Sequence, residues 1–363
     1  MPPLPTDTPV PGRLRLGLSL GYDAVGSEAV TLAREAERLG YAVAWAAEAY
    51  GSDAVSVLAW VAAHTSRIDV GSAVLQIPAR SPAMAAMTAA SLDALSGGRF
   101  RLGLGVSGPQ VSEGWHGVRF DAPLQRTREY LQIVRLALRA QPVRYAGTHF
   151  TLPLPDGPGK PIRLSLRPVP QPIPVYLAAI GPRSLELTGE LAEGWLAIFF
   201  SPEHAAGALD RLRAGRTRAG HTHEPMTGFD VAPTVPVVVD DDLERAALPV
   251  RAYTALYLGG MGSRTHNFYN ALAARMGFEA QAATVQRLFL DGQHRAAAAA
   301  VPLAFIDATA LIGPPARIRD RLHAYAEAGV TTLGVAALAS SQDERLAALR
   351  TVARALDESG LAA

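Results

Sequence analysis

The sequence contains no cysteine among its 363 residues. This absence excludes disulfides, thiolate metal sites, iron–sulfur clusters and a cysteine nucleophile. Charged residues are also scarce, at 18% of the chain, and 34 basic side chains against 33 acidic ones leave a formal net charge of +1. A balance this close to neutral provides no electrostatic attraction for nucleic acid or for an anionic membrane. We therefore expect a small-molecule substrate as the partner, with no nucleic acid and no membrane.

The sequence has no apolar run long enough to span a bilayer. The most apolar stretch, residues 296–306, is too short and contains Pro302. The first residues, MPPLPTDTPVPG, lack the basic start and the apolar core of a secretory signal. We interpret residues 1–13 as a flexible, proline-rich tail. Hydrophobic residues nevertheless make up 49% of the chain, enough for a sizeable core, so we expect a cytoplasmic, soluble protein.

Short β-type runs alternate with longer helical patterns along the chain. The strand-like runs are Leu14–Ser19, Ala42–Ala47, Ile68–Val74, Phe100–Gly105, Ile173–Leu177, Trp195–Phe200, Val231–Val239 and Thr331–Ala337. Such alternation predicts a parallel β/α architecture, and eight strands suit a closed barrel. The sequence therefore predicts an α/β fold, a (β/α)8 TIM barrel, in preference to a doubly wound open sheet.

No change in composition marks a boundary between domains, so residues 14–363 are predicted to form a single barrel domain. Two segments interrupt the alternation. The segment 142–174, after the fourth strand, is rich in proline and glycine and is predicted to contain a hairpin. The segment 259–302, after the seventh strand, is predicted to be a helical excursion.

Two motifs resemble known sites but are better explained otherwise. Residues 103–108 spell GxGxxG, but Pro109 follows, and we find no helix signal before Asp121, which we interpret as the N-cap of a long helix. The glycines are therefore interpreted as a strand end where a flat ligand approaches the backbone. His221 and His223 lack further ligands at a recognisable spacing, so we expect a solvated loop and no metal site.

In a barrel, the informative residues are those just past the carboxyl end of each strand. After the fifth strand, residues 178–184 combine a glycine, the amides of a helix N-terminus, an arginine and a serine hydroxyl. These groups form a cradle suited to an anion, which makes a phosphate-bearing cofactor a hypothesis. The alternative is an ordinary strand-to-helix turn with Pro182 near the first helical position.

These residues resemble those of the luciferase-like oxidoreductases, in particular the branch that uses the deazaflavin coenzyme F420. The resemblance extends from Leu14 to about Leu356. It is densest in segments 71–80, 95–117 and 176–184. It implies a TIM barrel with insertions and a homodimer. It also implies hydride transfer between the deazaflavin C5 and a small organic substrate, by reduction of C=C, C=N or C=O or by the reverse oxidation.

The resemblance also implies positions for the cofactor. A non-proline cis peptide bond between Ala73 and Val74 would lie behind the tricyclic ring, and residues 181–184 would hold the phosphate. Glu48 would lie near the ring edge. The cofactor-binding residues implied in this way are Glu48, Ala73, Val74, Ser107, Gly108, Ala178, Ala179, Gly181, Pro182, Arg183 and Ser184.

The sequence departs from the family at the acid/base positions. Several family members carry a histidine and a glutamate beside the ring, whereas this chain has Ala49 at the first position and Pro109 near the second. The ionisable groups that remain near the predicted site, and hence the catalytic candidates, are Glu48, Glu113 and His116. Two alternatives stay open: an FMN-dependent luciferase-like monooxygenase, and a cofactor-binding barrel without catalysis.

Overall fold

The computed structural model describes residues 9–10, 12–22, 24–166 and 171–363. The tail predicted at residues 1–13 falls outside the described residues, except for positions 9, 10, 12 and 13. Residues 167–170 of the first predicted excursion also lie outside them. Among the described helices, none combines the length and the apolar character that a bilayer-spanning segment requires.

The central element is a closed barrel of parallel strands. The strands are β1 (Arg15–Leu20), β2 (Val43–Ala46), β3 (Asp69–Ser72), β4 (Leu75–Gln76), β5 (Phe100–Gly105), β6 (Tyr145–Ala146), β7 (Thr151–Leu152), β8 (Val175–Ala178), β9 (Gly194–Ile198), β10 (Asp230–Val239), β11 (Leu311–Gly313) and β12 (Thr332–Ala337). The order around the barrel is β1-β2-β3-β5-β8-β9-β10-β12, and β12 pairs with β1 to close it. The predicted (β/α)8 fold is confirmed.

Helices connect the strands and surround the barrel. They are α1 (Gly26–Arg38), α2 (Ala54–His64), α3 (Pro82–Ser96), α4 (Pro109–Gly114), α5 (Pro123–Leu138), α6 (Pro182–Leu191), α7 (Ala206–Arg218), α8 (Leu243–Ala255), α9 (Phe268–Arg275), α10 (Glu279–Leu290), α11 (His294–Ala299), α12 (Leu303–Thr309), α13 (Pro315–Glu327) and α14 (Gln342–Ser359). The local sequence explains where several of these helices begin or end. Asp53 caps α2 by accepting a hydrogen bond from the Ser56 amide, and Gly40, at φ +79°, follows α1.

Two local interpretations of the chain that follows the GxGxxG segment were wrong. A short helix, α4, begins at Pro109, where the sequence indicated none before residue 121. Proline suits the first position of a helix, because that position has no intrahelical acceptor for its amide. Asp121 is not the N-cap of α5: Ala122 occupies that position, and the Asp121 carboxylate pairs with Arg126 at 2.7 Å.

The third predicted strand is interrupted near its end. Regular pairing stops at Ser72 and resumes as the two-residue β4, which pairs with β5. The peptide bond between Ala73 and Val74 is cis, as the resemblance implied. The predicted continuous strand 68–74 is therefore shorter in the structure, where β3 covers Asp69–Ser72.

A network of buried charges joins the amino-terminal ends of the strands. The Oδ2 atom of Asp230, at the start of β10, accepts a hydrogen bond from Arg15 Nη2 at 3.1 Å. It also accepts from the Tyr176 hydroxyl at 2.9 Å and the Thr332 hydroxyl at 3.0 Å. Arg101 donates to the Tyr176 oxygen at 2.8 Å. Burial by itself would raise the pKa of Asp230, but the two arginines and the hydroxyls lower it below its ordinary value.

Above this network, aromatic side chains fill the barrel interior. The rings of Trp45 and Tyr176 meet edge to face, with their centroids 5.1 Å apart. Gly71 makes room for the indole: a Cβ atom at this position would lie 2.3 Å from Trp45 Cζ3. The barrel is therefore closed at its amino-terminal end, and any ligand must enter from the carboxyl ends of the strands.

Two excursions leave the regular alternation. The first carries the antiparallel pair β6–β7, whose turn amides at residues 148, 149 and 150 donate to the Glu129 carboxylate. The second follows β10 and contains α9, α10 and α11, which pack with α8 and α12 in an apolar cluster of their own. This second excursion brings aromatic side chains over the carboxyl end of the barrel.

Candidate functional site

A cavity of about 1750 Å³ lies at the carboxyl ends of the barrel strands. Every cofactor-binding residue implied by the sequence lines it, so the structure brings together side chains from four different strand ends. These residues are Glu48, Ala73, Val74, Ser107, Gly108, Ala178, Ala179, Gly181, Pro182, Arg183 and Ser184. Glu113 and His116 are not among the lining residues.

One wall of the cavity is formed where β3, β4 and β5 meet. Val74, just after the cis peptide bond, packs against Gly105 at the end of β5. A Cβ atom at position 105 would lie 2.6 Å from Val74 Cγ2, so only glycine leaves the valine where it is. The wall is therefore flat and apolar, which suits the face of an aromatic ring.

The Gln76 side chain organises the polar part of this wall. Its Oε1 atom accepts from Ser107 Oγ at 3.0 Å and lies 3.3 Å from His116 Nε2. Its Nε2 atom donates to the Ala49 carbonyl at 2.7 Å. Ser107 has a φ of +63°, an uncommon value for a residue with a side chain. Sequence reasoning missed Gln76, although a polar residue within the apolar run VLQIP just past a strand was a usable signal.

Both carboxylate oxygens of Glu48 accept hydrogen bonds in the structure. Its carboxylate accepts two parallel hydrogen bonds from the Arg80 guanidinium, at 2.5 and 2.7 Å. It accepts a third from the backbone amide of Gln76 at 3.2 Å. The side chains of Glu48 and Arg80 are only 9% and 14% exposed. Glu48 thus ties the end of β2 to β4 at the cavity rim.

The other two catalytic candidates lie beside the cavity. Glu113 is exposed, and its Oε1 atom accepts from the Phe120 amide at 3.1 Å. His116 is half-buried and reaches the cavity wall only through its contact with Gln76. A proton-donating role for either residue stays a prediction.

The predicted anion cradle is the N-terminus of α6. Gly181 is the N-cap, and the amides of Arg183 and Ser184 lie in the first turn, where a helix supplies no acceptor for them. The Arg183 side chain is exposed and has no ion-pair partner among the described residues. Arg275, at the end of α9, donates to the Ile180 carbonyl at 3.1 Å and likewise has no carboxylate partner among the residues described. Sequence reasoning missed Arg275, because its approach to this loop depends on how the second excursion folds.

The opposite side of the cavity is rich in tyrosine. Tyr22 follows β1, and its hydroxyl lies 2.8 Å from that of Tyr257, in the π-helical turn Leu256–Gly260. The rings of Tyr253 and Tyr269 pack on Tyr257, with centroids 4.8 and 4.9 Å from it. Burial raises the pKa of Tyr22 and Tyr257 above the ordinary value, so both phenols are neutral at neutral pH. No sequence pattern pointed to this cluster.

A closed (β/α)8 barrel with a cavity at the carboxyl ends of its strands is the fold of many enzymes, and sequence comparison identifies the class. The model of the luciferase-like monooxygenase family matches residues 10–332. The chain therefore belongs to this family.

Particular relatives are similar over nearly the whole chain. A Mycobacterium tuberculosis protein named "putative coenzyme F420-dependent oxidoreductase" is 40% identical over 343 residues, covering 93% of this chain and 99% of its own length. The 5,10-methylenetetrahydromethanopterin reductase of Archaeoglobus fulgidus is 27% identical, covering 88% of this chain and 92% of its own. A solved F420-dependent tetrahydromethanopterin reductase from Methanopyrus kandleri has a TM-score of 0.80 at 24% identity, covering 94% of this chain and 98% of that chain. At that identity, the solved structure supports the fold alone.

Proposed function

We propose that the protein is a coenzyme F420-dependent oxidoreductase that transfers a hydride to or from a C=C, C=N or C=O bond of a small organic substrate. The observation that supports this proposal is the convergence of the anion cradle and the flat apolar wall on one cavity. The cavity is larger than the roughly 300–1000 Å³ of an ordinary ligand pocket, so it has room for a cofactor and a substrate together. The similarity to F420-dependent relatives supports the same cofactor.

The residues present fit such a group. The first-turn amides of α6, with Arg183 and Arg275 beside them, suit a phosphate and its anionic extension. The apolar wall at Val74 and Gly105 suits the face of a tricyclic ring. When bound in its reduced form, the deazaflavin supplies a hydride from its C5. The chain's own residues bind and orient both reactants, and the helices of the second excursion exclude water.

A paired titration tests the choice of cofactor. The purified apo-protein is titrated with F420 and with FMN while cofactor fluorescence is followed. We expect tight binding of F420 and weak binding of FMN. Arg183→Ala should weaken F420 binding about tenfold or more, because a charge-assisted hydrogen bond contributes about 1.5–3 kcal/mol.

Arg213→Ala serves as the matched control, since Arg213 pairs with Asp210 on the exposed face of α7 and should not affect the titration. Preferential binding of FMN would contradict the proposal and favour a flavin monooxygenase. Failure to bind either cofactor would favour a barrel without catalysis.

We also propose a homodimer that buries the outer faces of α2 and α3. Trp60, Met84, Met87 and Leu95 are each about half exposed or more on these packed helices. The described residues exposed on α3 include no charged side chain. Uncharged apolar faces of this kind mark interaction sites more often than solvent-facing surfaces.

Met87→Glu should convert the dimer into a monomer, because it places a carboxylate in the centre of the buried face. Size-exclusion chromatography with light scattering measures the mass directly. Arg354→Glu, at an exposed position on α14, is the control and should leave the mass unchanged. A wild-type protein that runs as a monomer would contradict the proposal.

A further inference from the structure

Two tyrosine hydroxyls form a close pair on the side of the cavity opposite the wall formed by β3, β4 and β5. Tyr22 and Tyr257 both line it, and their oxygens are 2.8 Å apart. In such a pair, one hydroxyl donates to the other, and the accepting hydroxyl keeps its own O–H proton for a third group. The pair therefore presents one transferable proton, and the two residues come from opposite parts of the fold, the end of β1 and the second excursion.

The position of Tyr22 is fixed by its own backbone. Its carbonyl accepts a hydrogen bond from the Ser52 amide at 3.0 Å. Gly51 lies against the same residue: a Cβ atom there would be 2.7 Å from the Tyr22 oxygen and 2.8 Å from its Cβ. The phenol is thus held by the loop after β2 and not only by its contact with Tyr257.

The carboxylates of the described lining are already engaged, although the phenols of Tyr50, Tyr253 and Tyr269 also line the cavity. Glu48 is bonded to Arg80 through both carboxylate oxygens. Asp240 pairs with Arg245. A separate pair at the rim joins Arg345, which also lines the cavity, to Glu28 on α1.

The remaining charged lining residue, Glu344, accepts hydrogen bonds from Ser340 and Ser341 at the start of α14. Apart from Arg183 in the cradle, the described lining therefore offers a substrate no unpaired charge.

We propose that the Tyr22–Tyr257 hydroxyl pair is the proton donor of the reaction, and that the substrate is a neutral ketone reduced to an alcohol. This proposal rests on the proposed function, which supplies the hydride. The hydride leaves the deazaflavin C5, whose C–H bond breaks as the cofactor is oxidised, and forms a new C–H bond at the carbonyl carbon, while the C=O π pair becomes an oxygen lone pair. That oxygen takes the O–H proton of the hydroxyl that accepts the hydrogen bond within the pair. The resulting phenolate is reprotonated through its partner hydroxyl from solvent, so the substrate gains one hydride and one proton in this site.

The acidity of the pair fits this direction. A ketone that accepts hydride becomes an alkoxide, which is more basic than a phenolate, so a neutral phenol donates to it favourably. Because burial raises the pKa of both tyrosines, both hydroxyls keep their protons at neutral pH and can donate. Among the described residues, no lysine or arginine is bonded to either hydroxyl in a way that would offset the burial.

The test compares Tyr22→Phe and Tyr257→Phe with the wild-type protein loaded with F420, using cyclohexanone as the probe. We expect single-turnover reduction of the probe to slow by about 100-fold in each variant, the range typical of a lost general acid. Binding of F420, followed by fluorescence, should stay within twofold. Tyr41→Phe is the matched control, because it also removes a buried hydroxyl, bonded to the Leu349 carbonyl at 3.0 Å, but lies outside the cavity.

A second measurement does not depend on turnover. Carbonyl-labelled cyclohexanone is bound to the protein loaded with oxidised F420, and its C=O stretch is recorded by infrared difference spectroscopy. Donation from the tyrosine pair should lower the stretching frequency in the wild type and in Tyr41→Phe, and the shift should be lost in the double variant of Tyr22 and Tyr257.

The outcomes separate the two proposals. Normal F420 binding with an unchanged rate and an unchanged carbonyl frequency in the tyrosine variants would overturn the proton-donor assignment alone. A wild-type holoenzyme that neither binds nor reduces cyclohexanone would overturn the ketone assignment. Failure of the wild-type protein to bind F420 would overturn the proposed function, and this inference with it.

Discussion

Replacing Asp230 by asparagine should remove about 3–5 kcal/mol from the free energy of unfolding, the cost of breaking a buried ion pair from one side. The Asp230 carboxylate is 1% exposed and accepts from Arg15, Tyr176 and Thr332 at the amino-terminal end of the barrel. The amide cannot neutralise the buried guanidinium, and its NH2 group faces hydrogen-bond donors. Urea unfolding followed by circular dichroism measures the loss.

The stability difference between the wild type and Asp230→Asn depends on pH. The folded-state pKa of Asp230 is lowered, so its contribution is fully present above the unfolded value of about 3.9 and is lost as the pH falls through the folded value. The stability difference between wild type and variant should therefore be constant from pH 5 to 7 and shrink below about pH 4.

Asp210→Asn provides the comparison for Asp230, because its pair with Arg213 is exposed on α7. It should cost less than about 1 kcal/mol, the usual range for a surface ion pair. If Asp230→Asn and Asp210→Asn lost the same free energy of unfolding, the buried charge network at the amino-terminal end of the barrel would not be what stabilises the closed barrel.

Replacing Glu48 by alanine should lower the free energy of unfolding by about 3 kcal/mol, because it leaves the largely buried Arg80 guanidinium without its bidentate partner. The remaining carboxylate near Arg80 is that of Asp53, at 3.0 Å, which is half exposed and screened by solvent. The loss of the third hydrogen bond, from the Gln76 amide, should also loosen the wall that carries Ser107. Weaker F420 binding is expected as a consequence.

A double-mutant cycle with Arg80→Ala separates these effects. The coupling between Glu48 and Arg80 should exceed about 1 kcal/mol, since the two residues are in direct contact. Glu244→Gln is the control, because the exposed Glu244 pairs with Arg251 outside the cavity. If Glu48→Gln kept full stability while reduction activity disappeared, Glu48 would be a proton donor and not a structural anchor.

The alternation of strands and helices was sufficient to predict the barrel, because each strand is a short apolar run buried on both faces. The errors were local. The end of the third strand was placed at Val74, although the chain turns after Ser72, since an apolar sequence does not encode a change in peptide geometry. The start of α4 was missed because six residues are too few for a helical periodicity to be visible.

The site was predictable only where its residues directly follow strands. The segments after β2, β5 and β8 converge in any barrel, so the cradle at Gly181–Ser184 and the loop at Ser107 could be located from order alone. Tyr257 and Arg275 belong to the second excursion, and their approach to the cavity depends on tertiary packing of helices against one another. No spacing of residues in the sequence predicts how these helices pack.

The independence of the apolar cluster in the second excursion has a consequence for protein engineering. The barrel strands have a separate core, closed by its own charge network. Because the segment from α9 to α11 packs mainly with α8 and the π-helical turn Leu256–Gly260, it is a natural unit for exchange. A library that varies the cavity-facing positions of this segment should alter which molecules are accepted while leaving the melting temperature of the scaffold nearly constant.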